Sequence, residues 1–194
     1  MAEPEFQARE ILEWEFEYAR GTAEQSQDDR TAIMNLYLVL VGAVGSVTIA
    51  LPQLGGADVP REAYGVLLGA IALIGFFVVM TLVRLRQAWY DSARMMNHIK
   101  DFYRAKFPEI DAVMRWRTAT IPAPGKLWSI TFNLALLVML TDSIALAMAI
   151  NFFEPTIVRN DYLAEIFLGA MYLAWQLWYY FFQLPVKPDA ADKV

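Results

Sequence analysis

Cysteine is absent from all 194 residues, which removes disulfides, thiolate metal sites and cysteine nucleophiles from consideration. Histidine occurs once, as His98, with no second ligand at metal spacing. The residue types also fail to assemble a nucleophile and base pair, a phosphate-binding glycine loop, a zinc motif or paired catalytic carboxylates. A non-enzyme without metal or other cofactor is therefore expected, and nucleic acid is not expected among its partners. No internal repeat of convincing length is present. The first thirty residues lack the basic-then-apolar order of a cleavable signal peptide, so the first apolar run is expected to act as its own insertion signal. One further absence matters most: none of the long apolar runs contains a Lys, Arg or His.

What is present is predominantly apolar, at 57% of residues, which is too hydrophobic for an ordinary soluble domain of this size. Four runs are long enough to cross about 30 Å of hydrocarbon at about 1.5 Å per residue: Ala32 to Leu51, Tyr64 to Val83, Leu127 to Phe153 and Leu163 to Leu184. A soluble fold would need four helices hydrophobic all round in a chain too small to bury them. The expected fold class is an all-α membrane protein with four transmembrane helices and cytoplasmic helical extensions.

Basic residues orient it, because Lys and Arg are retained on the cytoplasmic side of short loops. The segment between spans two and three carries Arg84, Arg86, Arg94, Lys100, Arg104, Lys106, Arg115, Arg117 and Lys126, whereas the other two loops carry only Arg61 and Arg159. With Arg9, Arg20 and Arg30 before the first span and Lys187 and Lys193 after the last, both termini are expected in the cytoplasm of a multi-pass inner (plasma) membrane protein.

Residues 1–30 are acidic and amphipathic, with Leu12, Phe16, Ala19 and Ala23 at helical spacing. They predict a cytoplasmic helix running toward span one, with a bend at Gly21 and Thr22. Pro52 and the Gly55-Gly56 pair mark an external turn, and Pro60 starts span two. Leu85, Ala88, Ser92, Met95, Ile99 and Phe102 continue a three-four spacing, extending that helix past the membrane to Phe107 and Pro108. A short helix over Glu109 to Thr118 and the IPAPGK linker complete an insert over 84–126, and 185–194 reads as a polar tail. The acidic amino-terminal helix and the basic insert can pair with each other, or remain separate, the one solvated and the other on anionic headgroups.

Asp142 is the sharpest functional signal, because a charge at bilayer depth costs about 2.5 to 3.5 kcal/mol or more. Thr131, Ala135, Val138, Ala145 and Ala149 share its helical face and are mostly small, so it should face protein or a water-filled space rather than lipid. Counting from the inner end of each run places Ser46 level with it and Gln176 within a turn or two. Three settings accommodate it: a hydrogen-bonded place inside the bundle, an ion or proton pathway, or contact with a separate subunit or ligand. Asn35 and Asn133 are further polar intramembrane candidates, read first as bridges between helices. Gly42, Gly65 and Gly69, with Ala135, Ala145 and Ala149, are candidate helix-packing positions.

The inner half of span four holds Trp175, Trp178, Tyr179, Tyr180, Phe181 and Phe182, a composition typical of an interfacial aromatic belt. Glu154, Asp161 and Glu165 are read as external helix-end residues, Asp161 or Asn160 capping span four and Glu165 sitting in its first turn.

The stretch EFEYARGTAEQSQDDRTAIMNLYLVLVG, a polar helix leading through Asp29-Arg30 and Asn35-Leu36-Tyr37 into a membrane hairpin, resembles the SLATT-type membrane effectors of bacterial conflict systems. The resemblance covers roughly residues 10 to 90 and implies a pore or channel that opens when a partner or nucleotide signal activates it. Those proteins usually have two spans, against four here. The leading expectation is a self-associating ion channel or pore, with membrane lipids and further copies as partners. The alternatives are an accessory subunit docked to other protein chains, or a membrane sensor.

Overall fold

The computed structural model of the chain describes residues 4–50, 59–153 and 162–184, the side chains of 4–7 excepted. Four α-helices carry the fold: α1 Pro4–Ala50, α2 Arg61–Lys106, α3 Ile130–Phe153 and α4 Leu163–Gln183. Single 3-10 turns lie at Pro108–Ile110 and Thr118–Thr120, and no strand occurs among the described residues. The all-helical expectation holds. Pro52, Gly55, Gly56, Glu154, Arg159, Asn160, Asp161, Lys187, Lys193 and the tail 185–194 fall outside the described residues.

Three helices are long and apolar enough to cross a membrane: α1 over Ala8–Ala50, α2, and α3. This is the build of a multi-pass membrane protein. With 21 residues, α4 is about 31 Å long, enough to span, but Glu165, Gln176 and its Trp and Tyr side chains leave it without a stretch as apolar as those within the other three.

Helix ends follow local chemistry. Ser129 accepts the Phe132 N–H at 3.2 Å and so caps α3, whose first turn begins three residues after the apolar run does. Just before it the chain turns through Trp128 with φ at 60°, a left-handed backbone that non-glycine residues adopt infrequently. Pro60 precedes α2 and accepts the Ala63 N–H at 3.0 Å. No interruption occurs at Gly21 and Thr22, where α1 runs on as one 47-residue helix.

The chain divides into two compact units, one made of Thr31–Val83 and Leu127–Gln183, the other of Met1–Arg30, Arg84–Lys126 and Leu184–Val194. In the first, ring and glycine contacts give the register. Tyr64 stacks on Phe152 at 5.5 Å, a Cβ on Gly65 would meet the Phe153 ring, and a Cβ on Gly75 would meet Asp142. Position rises along α2 as it falls along α3, so the two are antiparallel. Phe132 packs on Tyr180 at 5.6 Å while Gly169 lies against the Ser143 backbone, so α3 and α4 are antiparallel as well. The Tyr172 hydroxyl donates to the Ala72 carbonyl at 3.0 Å, and Phe76 meets Trp175 at 4.7 Å, which sets α4 alongside α2. Leu68, Ile71, Ala72, Ala145 and Ala149 form a shared core that Leu40, Val41 and Val44 of α1 and Tyr172 of α4 close. Of the apolar windows in α1, α2 and α3, 11%, 44% and 39% are buried, so α1 is the least covered by its own chain.

In the second unit, Ala19, Ala23 and Ser26 of α1 are buried, as are Ser92, Asn97 and Ile99 of α2. The Lys100 ammonium lies over the Phe16 ring at 5.7 Å, so the acidic helix and the basic insert do meet. The helix expected over Glu109 to Thr118 is not formed. Side chains of α2 take the backbone groups of that segment instead: Asp101 accepts the Thr118 N–H at 3.2 Å and Asn97 donates to the Arg117 carbonyl at 3.3 Å. Arg104 binds both Asp101 and Asp111, and Arg117 adds a second contact to Asp111 at 3.2 Å.

Burial pushes the Asp101 carboxyl up, but its hydrogen bonds from Thr118 and Arg104 outweigh that and hold it below the ordinary value. A depressed folded value means the stabilisation is present above the unfolded pKa of about 3.9 and is lost as pH falls through the folded one. The protection of the Thr118 amide, measured against its intrinsic exchange rate at each pH, should therefore fall as pH drops below about 4, and Asp101→Asn should lower that protection at neutral pH. Exchange at Thr118 that is unchanged by Asp101→Asn would show that this contact does not hold the segment.

Candidate functional site

On α3 the small-residue face is the buried face. Thr131, Ala135, Val138, Asp142, Ala145 and Ala149 are all buried, and Asp142 is 0% exposed. This mostly small face lets α2 approach closely, with Ala145 and Ala149 packed against Leu68, Ile71 and Ala72, and the carboxylate is carried inside with it. It points into the chain's own bundle.

Two features make that position tenable. The Tyr37 hydroxyl of α1 donates to Asp142 Oδ1 at 2.6 Å, a short hydrogen bond of the strength expected where the acceptor is a carboxylate. From α2, Gly75 presents no side chain, and the carboxylate fills the space a Cβ would take, 1.7 Å from Oδ1 and 2.3 Å from Oδ2. Asp142 Oδ2 is buried without a hydrogen-bond partner among the described residues. A single donor thus serves a group able to accept several.

Gln176 of α4 is also 0% exposed, and neither its Oε1 nor its Nε2 has a partner among the described residues. The pairing of Ser143 with Gly169 and of Phe132 with Tyr180 sets Gln176 on the Phe132 side of Asp142, within about two turns of it. An unpaired amide in apolar surroundings costs about 1 to 3 kcal/mol, which a leucine of similar size would avoid. Ser143, the neighbour of Asp142, donates to the Met139 carbonyl of its own helix at 2.7 Å.

The other sequence candidates fall elsewhere. Ser46 is exposed on the chain surface and donates to the Gly42 carbonyl of its own helix at 2.8 Å. Counting from the edges of the apolar runs misplaced it, because α3 starts at its Ser129 cap while α1 has no start there at all. Its partner position on α1 is Tyr37, nine residues earlier, or about 13.5 Å along the helix. Asn35 and Asn133 are exposed on the chain, and neither hydrogen-bonds to Asp142. Gly65 does serve packing, against Phe153, but a Cβ on Gly42 or Gly69 would meet nothing within 4 Å, so these two do not set a close approach within the chain. Gly75 and Gly169 do.

The aromatic residues of α4 divide. Trp175 and Tyr179 pack on Phe76, and Tyr180 and Phe181 pack on Phe132. Trp178 and Phe182 stack on each other and stay exposed, as an interfacial belt requires. At the opposite end of α3, the Asn151 amide donates to Glu165 in the first turn of α4 at 3.4 Å. His98 takes a hydrogen bond from Arg94 at 3.4 Å, and no group of three or more metal-binding side chains occurs among the described residues.

No family model, no curated protein and no solved structure matches the chain.

A Gly75→Ala substitution must move the carboxylate and break its contact with Tyr37, so it should destabilise the bundle by about 1 to 3 kcal/mol. Gly69→Ala should lose nothing, since no atom stands in the way. Unfolding in mixed micelles measures both, and equal behaviour of the two variants would contradict the packing of Asp142 on Gly75.

Proposed function

We propose that the chain is a four-span inner-membrane protein, both termini cytoplasmic, that passes protons or small cations through the interior of its own helix bundle. The observation that carries this is the Asp142 carboxylate, fully buried, held by one donor and left with one oxygen unpartnered among the described residues. Gln176 supports it with a second polar group retained inside at a cost to stability. Intramembrane carboxylates that face a bundle interior mark relays and ion paths more often than ordinary structure. The likeness of residues 10 to 90 to SLATT-type effectors points to the same class.

On this reading Asp142 works inside each chain, not as a ring of charges around an axis between copies. Taking up a proton or a cation satisfies its second oxygen. The Tyr37 hydroxyl then stays as the fixed partner, tying α1 to α3 whichever species is bound. The length of α4 and its place beside α2 in the core support a fourth span.

Two measurements test it. Because the chain has no cysteine, single cysteines report topology directly. Glu62→Cys should label from outside the cell, Ala112→Cys only from inside, and Val194→Cys only from inside. External labelling of Val194→Cys would remove the fourth span. In proteoliposomes, Asp142→Asn should abolish proton or cation flux, and Gln176→Leu should reduce flux while raising thermal stability. Wild-type flux in both variants would sink the proposal.

A further inference from the structure

In the unit built from α1 and the basic insert, two apolar patches are left uncovered. On α1, Ile11, Trp14 and Tyr18 recur at three-four spacing and are 56%, 66% and 75% exposed, on a different face from the buried Ala19, Ala23 and Ser26. Beyond α2, Val113 and Trp116 are 81% and 65% exposed. Large apolar side chains gathered at regular spacing on a water-facing helix are unusual unless something packs on them.

Charge says what. From Ala8 to Arg30 the helix carries seven carboxylates against three arginines, and Glu10 and Glu15 border the stripe on either side. Neither makes an ion pair among the described residues, whereas Glu17 does so with Arg20. From Arg84 to Lys126 the count reverses, nine basic residues against four acidic. Arg115, between Val113 and Trp116, is exposed and makes no ion pair among the described residues. One patch is therefore an apolar stripe with an acidic rim, the other an apolar pair around a free cation. An anionic lipid surface would repel the first, so a bilayer does not cover it.

Level matters as well as sign. A groove of about 880 Å³ is lined by Leu12, Glu13, Phe16 and Glu17 on one side and by Tyr103, Phe107 and Met114 on the other. Met114 sits between Val113 and Arg115, so the basic patch lies at the same height along α1 as the acidic stripe. Two copies placed side by side with their helices parallel bring one patch onto the other without sliding along the axis.

We infer that the acidic stripe Ile11, Trp14 and Tyr18 of one copy docks on the Val113, Arg115 and Trp116 patch of a second copy of this chain. The contact is heterologous, head to tail, so each copy in the membrane can bind one neighbour on either side. The parallel orientation of the copies rests on the membrane reading above, since proteins inserted in one membrane share a direction. Association through free charges around an apolar centre must weaken with salt.

Cross-linking tests it in the intact chain. Gly21 adjoins the stripe one turn beyond Tyr18, and a Cβ there meets nothing within 4 Å. Gly21→Cys and Ala112→Cys proteins with different tags are co-reconstituted in vesicles and treated with a short bis-maleimide. The mixed Gly21–Ala112 product should predominate over either same-site product. Glu10→Lys with Glu15→Lys in the Gly21→Cys protein should abolish it, and Arg115→Glu in the Ala112→Cys protein should restore it. A mixed product that ignores both charge reversals, or same-site products of equal yield, overturns the interface. Flotation of the same vesicles separates the two ideas. Protein that floats but gives no mixed product refutes the interface alone, mixed product without flotation refutes the membrane reading alone, and neither refutes both.

Discussion

A carboxylate enclosed by apolar helices has to be met by a donor and by room, and the bundle is arranged to supply both. Tyr37 supplies the donor from α1 and Gly75 the room from α2. Three helices are thereby committed to one geometry around a single side chain. The small residues at Ala145 and Ala149 follow from the same demand, because a bulkier face on α3 would hold α2 too far away for Gly75 to reach the carboxylate. At 1.7 Å from an imagined Cβ, Asp142 leaves no side chain but glycine's at position 75.

Much of this was legible in the residues, and the gaps have physical causes. The helices, the projection of α2 to Lys106 and the burial of the Asp142 face follow from apolar run length and three-four spacing, which are properties of one helix at a time. The roles of Tyr37 and Gly75 depend on register between helices, which no single-helix pattern contains. Depth alone points to Ser46, and depth measured from run edges fails where one helix continues through and another is capped late, as α1 and α3 are. Gly75 carried one usable signal: a glycine in mid-span with no turn or cap to explain it. The segment after Pro108 misled for another reason, since Asp101 and Asn97 compete for its backbone and win over a helix that composition alone would allow.

Gln176 separates stability from purpose more cleanly than Asp142 does. Tyr37 partly compensates the carboxylate, so its presence can be explained as structure. The amide has no such compensation among the described residues, yet it sits at full burial between the Phe132–Tyr180 and Ser143–Gly169 contacts. A leucine would fill the same volume and remove a penalty of about 1 to 3 kcal/mol. That argument favours a use for the polar interior over a purely architectural account.

If the ion-handling groups lie within one chain, assembly and conduction need not share residues. The membrane core could then work copy by copy, while the proposed contacts among copies would be made in the unit that holds the acidic stripe and the basic patch. Such a division would fit an α1 that is apolar yet only 11% buried over its membrane-like window: lipid can cover that face, and no second copy is required there. It also explains why the free charges gather on the other unit, where water allows them to act as address labels at little cost. Ion passage coupled to assembly would then have to travel along α1 and α2, the two helices common to both units, and α1 is the one whose Tyr37 holds the carboxylate.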